Sequence, residues 1–248
     1  MTGGDSRASS ASTFGRTAAL VAAVLGWLFD GFEMGLFPLI GGPALEDLLG
    51  SSAAAGDADR WFGASLAGVT LLGTWGSIQW IPRWAIQLGG TATPHAKEYS
   101  QIATALGASI ATYVTAVIAD RLGRRPTSTI LCLATIAAAL WLYQGHGAFG
   151  PSFLVAAFLA GGVSASFYGF FPRYFPELFP TAVRATGQGF AFNFGRIIAA
   201  IGGLQTATLM GYFGGSFPKA GSVLAAVYLI GAVIVWLGPE TKGQPLPE

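Results

Sequence analysis

The sequence predicts an all-α, multi-pass membrane protein. Hydrophobic residues make up 52% of the 248-residue chain, whereas Asp, Glu, Lys and Arg together make up 10%. A soluble globular domain carries roughly 25% of these charged residues, so too few are present here to cover a water-facing surface. Uncharged runs lie at 61–82, 99–119, 126–172, 197–218 and 220–239. Each run can hold a helix that crosses a bilayer core, which takes about 20 residues.

Seven apolar segments are predicted as membrane-spanning helices. They lie at 17–40, 62–82, 99–119, 127–144, 152–171, 187–213 and 220–238, and turn-forming residues and most of the charges lie between them. The segments are continuously apolar and do not alternate with a period of two residues, which excludes β-barrel strands. Because the connections between the later segments are short, we expect consecutive helices to be antiparallel neighbours in one bundle.

The predicted organisation is a disordered tail at 1–16, a first helix at 17–40, an acidic loop at 41–61, a six-helix unit at 62–238 and a tail at 239–248. The run from Thr17 to Phe29 has the length of a signal-peptide core. However, Asp30 and Glu33 follow it directly, and no small-x-small cleavage site comes next. We therefore favour a retained membrane helix.

Composition also argues against nucleic-acid, metal and disulfide chemistry. The net charge is +1, and no run of Lys or Arg is longer than Arg124-Arg125, so a phosphate backbone is not an expected partner. Cys132 is the single cysteine, and His95 and His146 lie about 50 residues apart, so no zinc-type ligand cluster is predicted. No catalytic motif is present. We expect neither enzymatic activity nor a metal nor a cofactor.

Small residues recur at every fourth position of the segment 187–213. They are Gly187, Ala191, Gly195, Ala199, Gly203, Ala207 and Gly211. A ridge of small side chains lets a second helix approach closely, which is how helices in lipid gain packing contacts. This segment is therefore predicted to be packed inside the bundle.

Polar residues inside the apolar segments are the first candidates for a proton and substrate pathway. Asp30 and Glu33 lie three residues apart on one face of the first segment, and Arg196 lies in the sixth. A charge at mid-membrane costs about 2.5–3.5 kcal/mol even on a lenient insertion scale, so such residues face a partner or a water-filled cavity. Two close carboxylates favour a shared, exchangeable proton. Asn193 shares a face with Arg196, and Gln79 is a further candidate; the alternative role of Arg196 is that of a structural ion-pair or carbonyl-bonding residue that holds helices in register.

A cluster of charged residues lies between the segments 99–119 and 127–144. It comprises Asp120, Arg121, Gly123, Arg124 and Arg125. An Asp at a helix end, a Gly for a tight turn and arginines at fixed offsets can form an inter-helix charge latch that breaks and reforms in a conformational cycle. The alternative is a cytoplasmic anchor that follows the positive-inside bias.

Residues 119–125 (Ala-Asp-Arg-Leu-Gly-Arg-Arg) resemble the signature loop of the major facilitator superfamily, usually G-x-L-A-D-R-x-G-R-R/K. Ala116 and Ile118 stand where the family has Gly and Leu. The stretch 176–189 resembles the loop between the tenth and eleventh helices of metabolite and sugar symporters, and 239–243 resembles the tail after their twelfth helix. The first segment, with Asp30-Gly31-Phe32-Glu33, is similar to the acidic first-helix motif of aromatic-acid and sialic-acid symporters.

The resemblance implies proton-coupled symport of a small organic anion or sugar-like metabolite. Family members have twelve helices in two halves, whereas this chain has about seven, which resemble a first helix and a whole C-terminal half. We therefore expect an internally shortened transporter with its junction near 63–66. The alternative is a membrane-embedded interaction protein or a remnant that no longer transports. Expected partners are the lipid bilayer, a metabolite and protons, and homo-oligomerisation would supply a second bundle.

The same resemblance implies a plasma (inner) membrane protein with a cytoplasmic C-terminus. Placing residues 119–125 in the cytoplasm puts seven Lys and Arg residues there against five outside. This orientation conflicts with Arg7 and Arg16, which favour a cytoplasmic N-terminal tail, so the orientation of the first helix stays open.

Overall fold

The computed structural model describes residues 53–248, with side chains at 58–200 and 208–248. The tail 1–16, the first predicted helix 17–40 and the candidate residues Asp30 and Glu33 lie outside the described residues. The described part is helical, and residues 53–248 contain no strand.

Nine α-helices follow one another in residues 53–248. They are α1 (Ala53–Gly76), α2 (Ile81–Gly89), α3 (Ala96–Leu122), α4 (Arg124–Gly145), α5 (Pro151–Ala165), α6 (Phe167–Tyr174), α7 (Arg184–Tyr212), α8 (Phe217–Ala225) and α9 (Tyr228–Ile234). Single 3-10 turns lie at Ile78–Trp80, Phe175–Glu177 and Val235–Leu237.

Four helical segments in the described part are long and apolar enough to cross a membrane. They are α3, α4, the continuous stretch Pro151–Glu177 and the stretch Phe217–Leu237. Helices α1 and α7 have 24 and 29 residues, so they reach a similar length. The predicted class, an all-α membrane helix bundle, is confirmed, and every predicted segment after residue 53 overlaps a helix.

The first described helix differs from the predicted boundaries. Helix α1 begins at Ala53, within the predicted loop 41–61, and ends at Gly76, so the predicted span 62–82 is divided. Pro82 lies in the first turn of α2, where its missing N–H is tolerated, whereas it would break a helix that continued through it. Ser77 lies in the break between α1 and α2 and stabilises it, because its hydroxyl donates a hydrogen bond to the carbonyl of Gly221 over 3.0 Å. Helix α1 runs unbroken through the predicted junction near 63–66.

The small-residue ridge of α7 packs against α1, as predicted. A Cβ added at Gly195 would lie 2.7 Å from the backbone nitrogen of Gly68, and one added at Gly63 would lie 2.9 Å from Cβ of Ala191. The close packing ends before Gly211, where an added Cβ would meet nothing within 4 Å. The side chains at 203 and 207 lie outside the described residues.

Helices α3 and α5 touch through their backbones. A Cβ at Gly107 would lie 2.0 Å from the carbonyl oxygen of Phe158, and a Cβ at Gly161 would lie 2.8 Å from Cα of Thr104. Despite this contact, α3 is the least buried of the four candidate spans: 17% of its most apolar stretch is buried, against 33% to 67% in the others. Most of the surface of α3 therefore faces away from the described bundle.

Candidate functional site

A polar cavity of about 470 Å³ opens between α1, α2, α3 and the α5–α6 segment. Its polar lining includes Gln79, Gln101, Thr104, Ser109, Thr112 and Tyr168. None of its lining residues carries a charge. A cavity of this size with a few placed polar groups is the ordinary form of a small-molecule site.

The hydroxyl groups of this cavity act as acceptors toward its interior. Thr104 donates to the carbonyl of Ser100 over 3.0 Å, Ser109 to that of Ala105 over 3.0 Å, and Thr112 to that of Ala165 over 3.2 Å. A hydroxyl has one proton and two lone pairs, so once the proton is used, only lone pairs remain for a ligand.

The donors of the cavity are the amides of Gln79 and Gln101 and the phenol of Tyr168. Within residues 53–248, none of these three groups is hydrogen bonded to the protein. Each amide offers two N–H donors and one carbonyl acceptor. The cavity therefore presents both donors and acceptors, without a formal charge, to whatever occupies it.

The second feature is a charged cluster at one end of the bundle, centred on Arg124. Its guanidinium binds both carboxylate oxygens of Glu177, over 2.8 and 2.5 Å, and donates to the carbonyl of Ala119 over 2.6 Å. The side chain of Arg124 is only 7% exposed. Asp120 lies 3.4 Å from the same guanidinium and also pairs with Arg173. Two carboxylates thus compensate one buried cation.

Glu240 connects the start of α4 to the segment that follows the last membrane span. Its carboxylate accepts hydrogen bonds from the backbone N–H groups of Arg124 (2.8 Å), Arg125 (2.9 Å) and Lys242 (3.1 Å). The first N–H groups of a helix have no partner inside the helix, so an acceptor there is favourable. Partial burial alone raises the pKa of Glu240, but these hydrogen bonds outweigh it and the pKa is lowered. This contribution to stability is therefore lost only as the pH falls below the ordinary glutamate value of 4.5.

Further contacts join three segments, 119–125, 173–177 and 238–242, into one network. Arg125 donates to the carbonyl of Gly238 over 2.7 Å, Thr241 to Glu177 over 2.5 Å, and the ammonium of Lys242 to the carbonyl of Arg121 over 2.6 Å. We call these three segments the charged cluster.

The structure brings together the predicted residues of the 119–125 loop but not all those of the pathway. Gln79 lines the polar cavity. Asn193 is buried and donates to the carbonyl of Gly189 over 3.0 Å, and the guanidinium of Arg196 lies 5.4 Å from the ring centroid of Phe192. In the described part of the chain, neither Asn193 nor Arg196 is among the residues that line the polar cavity.

Sequence reasoning predicted Asp120 of the cluster but missed its other two acidic residues and most of the cavity. Gln101, Thr104 and Thr112 share one helical face of an otherwise apolar run, and this periodicity was the available signal. Glu177 and Glu240 belong to the stretches 176–189 and 239–243, whose resemblance to family loops does not identify them as partners of the arginines.

A family model described as sugar (and other) transporter matches residues 90–248. A putative metabolite transport protein of Haemophilus influenzae is 26% identical over 73% of the chain and 44% of its own length. The inner membrane metabolite transport protein YhjE of Escherichia coli is 33% identical over 57% of the chain and 32% of its own length. The putative niacin/nicotinamide transporter NiaP of Bacillus subtilis is 30% identical over 69% of the chain and 42% of its own length. The chain thus spans less than half the length of these relatives.

Proposed function

Because the chain belongs to the sugar (and other) transporter family of the major facilitator superfamily, we propose that it is a transporter and not an enzyme, and that it moves a small polar metabolite with protons. The observation that carries this proposal is the uncharged polar cavity between α1, α3 and α5–α6. Sites of this kind in secondary transporters lie near the middle of the membrane, between packed helices.

The donors and acceptors of the cavity favour an uncharged solute over an organic anion. A carboxylate only accepts hydrogen bonds, so it would face the lone pairs of Thr104 and Ser109 without a compensating cation in the lining. A hydroxyl- or amide-bearing solute can donate to these oxygens and accept from the amides of Gln79 and Gln101. Of the two substrate classes expected from the sequence, the sugar-like one therefore fits the cavity better.

The test is uptake into proteoliposomes of matched neutral and anionic solutes, together with a panel of sugars. Nicotinamide and nicotinate are a suitable pair because they share a ring and differ in charge, and a relative is named for this pair. We expect faster uptake of the neutral solute. Faster uptake of nicotinate would contradict the assignment.

Gln101→Leu is expected to weaken solute binding by up to about tenfold, because it removes one donor and acceptor pair worth about 0.5–1.5 kcal/mol. The matched control is Gln144→Leu on α4, since Gln144 is exposed and binds Ser222. The solute affinities of the two variants are measured by calorimetry on purified protein. Equal affinities would mean that Gln101 does not contribute to solute binding.

Asp30 is proposed to carry the coupled proton. Asp30→Asn mimics the protonated carboxyl group, so uptake should lose its dependence on an imposed pH gradient while solute binding persists. Glu98→Gln is the control, because Glu98 is exposed in the first turn of α3. Undiminished gradient dependence in Asp30→Asn would exclude the proton role.

Arg196 is proposed as the cation that pairs with an acidic group of the pathway.

The charged cluster is proposed as a conformational latch on the cytoplasmic side of the plasma membrane. Several of its cations lie at one end of the bundle, namely Arg121, Arg124, Arg125, Arg173 and Lys242, and the positive-inside bias favours the cytoplasm for this end. The C-terminus would then also be cytoplasmic.

A second candidate function is a membrane protein that binds a solute or partner but does not transport. It requires only a binding site, and the described residues form the polar cavity by themselves. Binding of a neutral solute without uptake by the unmutated chain would support this second function.

A further inference from the structure

We propose that Tyr143 on α4 positions the amide of Gln79 for the solute, although the described residues that line the polar cavity do not include Tyr143 itself. The proposal rests on the proposed function, since the cavity is the site assigned there to the solute. Gln79 lies in the 3-10 turn Ile78–Trp80, in the break between α1 and α2. The placement of its amide therefore depends on how this turn is held.

Pro82 explains why a 3-10 turn forms at this position. In an α-helix the carbonyl of Ile78 would accept from the N–H of residue 82, which proline lacks. It accepts instead from the N–H of Ile81, as in a 3-10 helix. The carbonyl of Ser77 thereby loses its α-helical partner, the N–H of Ile81, and is left with that of Trp80 at 3.3 Å. This distance is longer than that of an ordinary N–H to oxygen bond.

The hydroxyl of Tyr143 supplies this carbonyl with a closer partner. It donates to the carbonyl oxygen of Ser77 over 2.6 Å. Both residues are buried, Ser77 completely and Tyr143 with 2% of its surface exposed. A buried carbonyl without a good partner costs free energy, so this hydrogen bond stabilises the turn that carries Gln79.

The ring of Tyr143 is itself held by two further helices. A Cβ added at Gly221 of α8 would lie 2.4 Å from ring atoms of Tyr143, so only a glycine leaves room for the ring. On α2, the ring centroid of Trp84 lies 5.1 Å from that of Tyr143. The hydroxyl of Ser77 also donates to the carbonyl of Gly221, over 3.0 Å. Tyr143 thus connects the turn with both α2 and α8.

The turn lies between Tyr143 and the cavity. Gln79 lines the cavity, whereas α4 contributes no residue to its lining within the described part of the chain. Without the hydroxyl of Tyr143, the turn gains conformational freedom, and the amide of Gln79 must be ordered when the solute binds. Such ordering costs free energy and lowers the affinity.

The experiment is calorimetry on the purified full chain with Tyr143→Phe, which keeps the ring and removes the hydroxyl. We expect the affinity for nicotinamide, and for each sugar of the panel that binds, to fall about two- to tenfold, the range that one hydrogen bond contributes. The effect should disappear in a Gln79→Leu background, because Tyr143 acts through that amide. It should persist in a Gln101→Leu background, the matched control, since Gln101 is a second cavity amide on another helix.

Three results would overturn the proposal. An undiminished effect in the Gln79→Leu background would show that the hydroxyl does not act through Gln79. Loss of the effect in the Gln101→Leu background as well would indicate a general change of the cavity, and no effect in the otherwise unmutated chain would show that the hydroxyl is not needed.

Ser77→Ala is the second variant, in case thermal melting shows that Tyr143→Phe does not fold. It removes the hydrogen bond from Ser77 to Gly221, which holds the same turn from α8. We expect the same loss of affinity and the same dependence on Gln79. A loss that is independent of Gln79 would also overturn the proposal.

Failure of the positioning role and failure of the proposed function are distinguishable. Hydrogen exchange of the backbone amides at 78–81, measured without solute, should be faster in Tyr143→Phe than in the unmutated chain because the turn opens more readily. Faster exchange in a chain that binds neither nicotinamide nor any sugar would refute the proposed function and leave the support of the turn standing. Unchanged exchange in a chain that binds the solute would do the reverse.

Discussion

Glu177→Gln is expected to destabilise the protein by about 3–5 kcal/mol, the range seen when one partner of a buried ion pair is removed. The loss is large because the Arg124 side chain is 7% exposed and the Glu177 side chain 16%, so water cannot replace the missing carboxylate. The amide also presents N–H groups toward a guanidinium, which has donors only. The measurement is the melting temperature in detergent, with the free energy of unfolding from denaturant titration.

Glu98→Gln provides the control because it makes the same chemical change at an exposed carboxylate. Its side chain is 58% exposed and lies 4.0 Å from His95 at the start of α3. Exposed pairs of this kind contribute about 0–1 kcal/mol. A melting temperature of Glu177→Gln within error of that of Glu98→Gln would mean that the Arg124–Glu177 pair does not stabilise the fold.

Gly107→Ala is expected to be strongly destabilising for a single-methyl change, with a cost of about 3 kcal/mol or more. The added Cβ would lie 2.0 Å from the carbonyl oxygen of Phe158, and that oxygen belongs to a helix backbone that cannot move by side-chain rotation. Overpacking of a tight contact usually costs about 1–3 kcal/mol, and here α3 and α5 must separate to relieve it. Thermal melting and retention on size-exclusion chromatography provide the measurement.

Gly211→Ala is the matched control within a helix. An added Cβ meets nothing within 4 Å there, so the intrinsic preference of helices for Ala over Gly, about 1 kcal/mol, should make the variant neutral or slightly more stable. Because Gly107→Ala gains the same preference, its destabilisation can only be steric. Similar melting temperatures for both variants would contradict the close approach of α3 and α5.

The limits of most helices could be predicted from the sequence because apolarity and charge are local properties. Helix α3 extends the predicted span 99–119 by three residues at each end, to Ala96 and Leu122, and α4 extends 127–144 by three residues at its start and by one at its end. The division of the first described span could not be predicted as readily. It depends on Pro82 and on the hydrogen bond from Ser77 to Gly221, which lies 144 residues away.

The candidate site was predictable to a smaller extent, for a physical reason. The arginines of the 119–125 loop stand out in an apolar chain, but their partners Glu177 and Glu240 are 53 and 116 residues from Arg124. Only the tertiary structure brings these side chains together. The cavity hydroxyls of Thr104 and Ser109 are inconspicuous because serine and threonine in apolar helices ordinarily donate to their own helix, as both do here.

Gly123 is the single residue between α3 and α4, and its φ of 101° gives the chain its reversal. Because a connection of one residue allows little relative movement, we expect a displacement at the end of α3 to shift the first turn of α4. The carboxylate of Glu240 accepts hydrogen bonds from two backbone N–H groups of that turn. The segment that follows the last span is therefore attached to the start of α4. We therefore expect α3, which borders the polar cavity, to move together with α4 and the segment after α9.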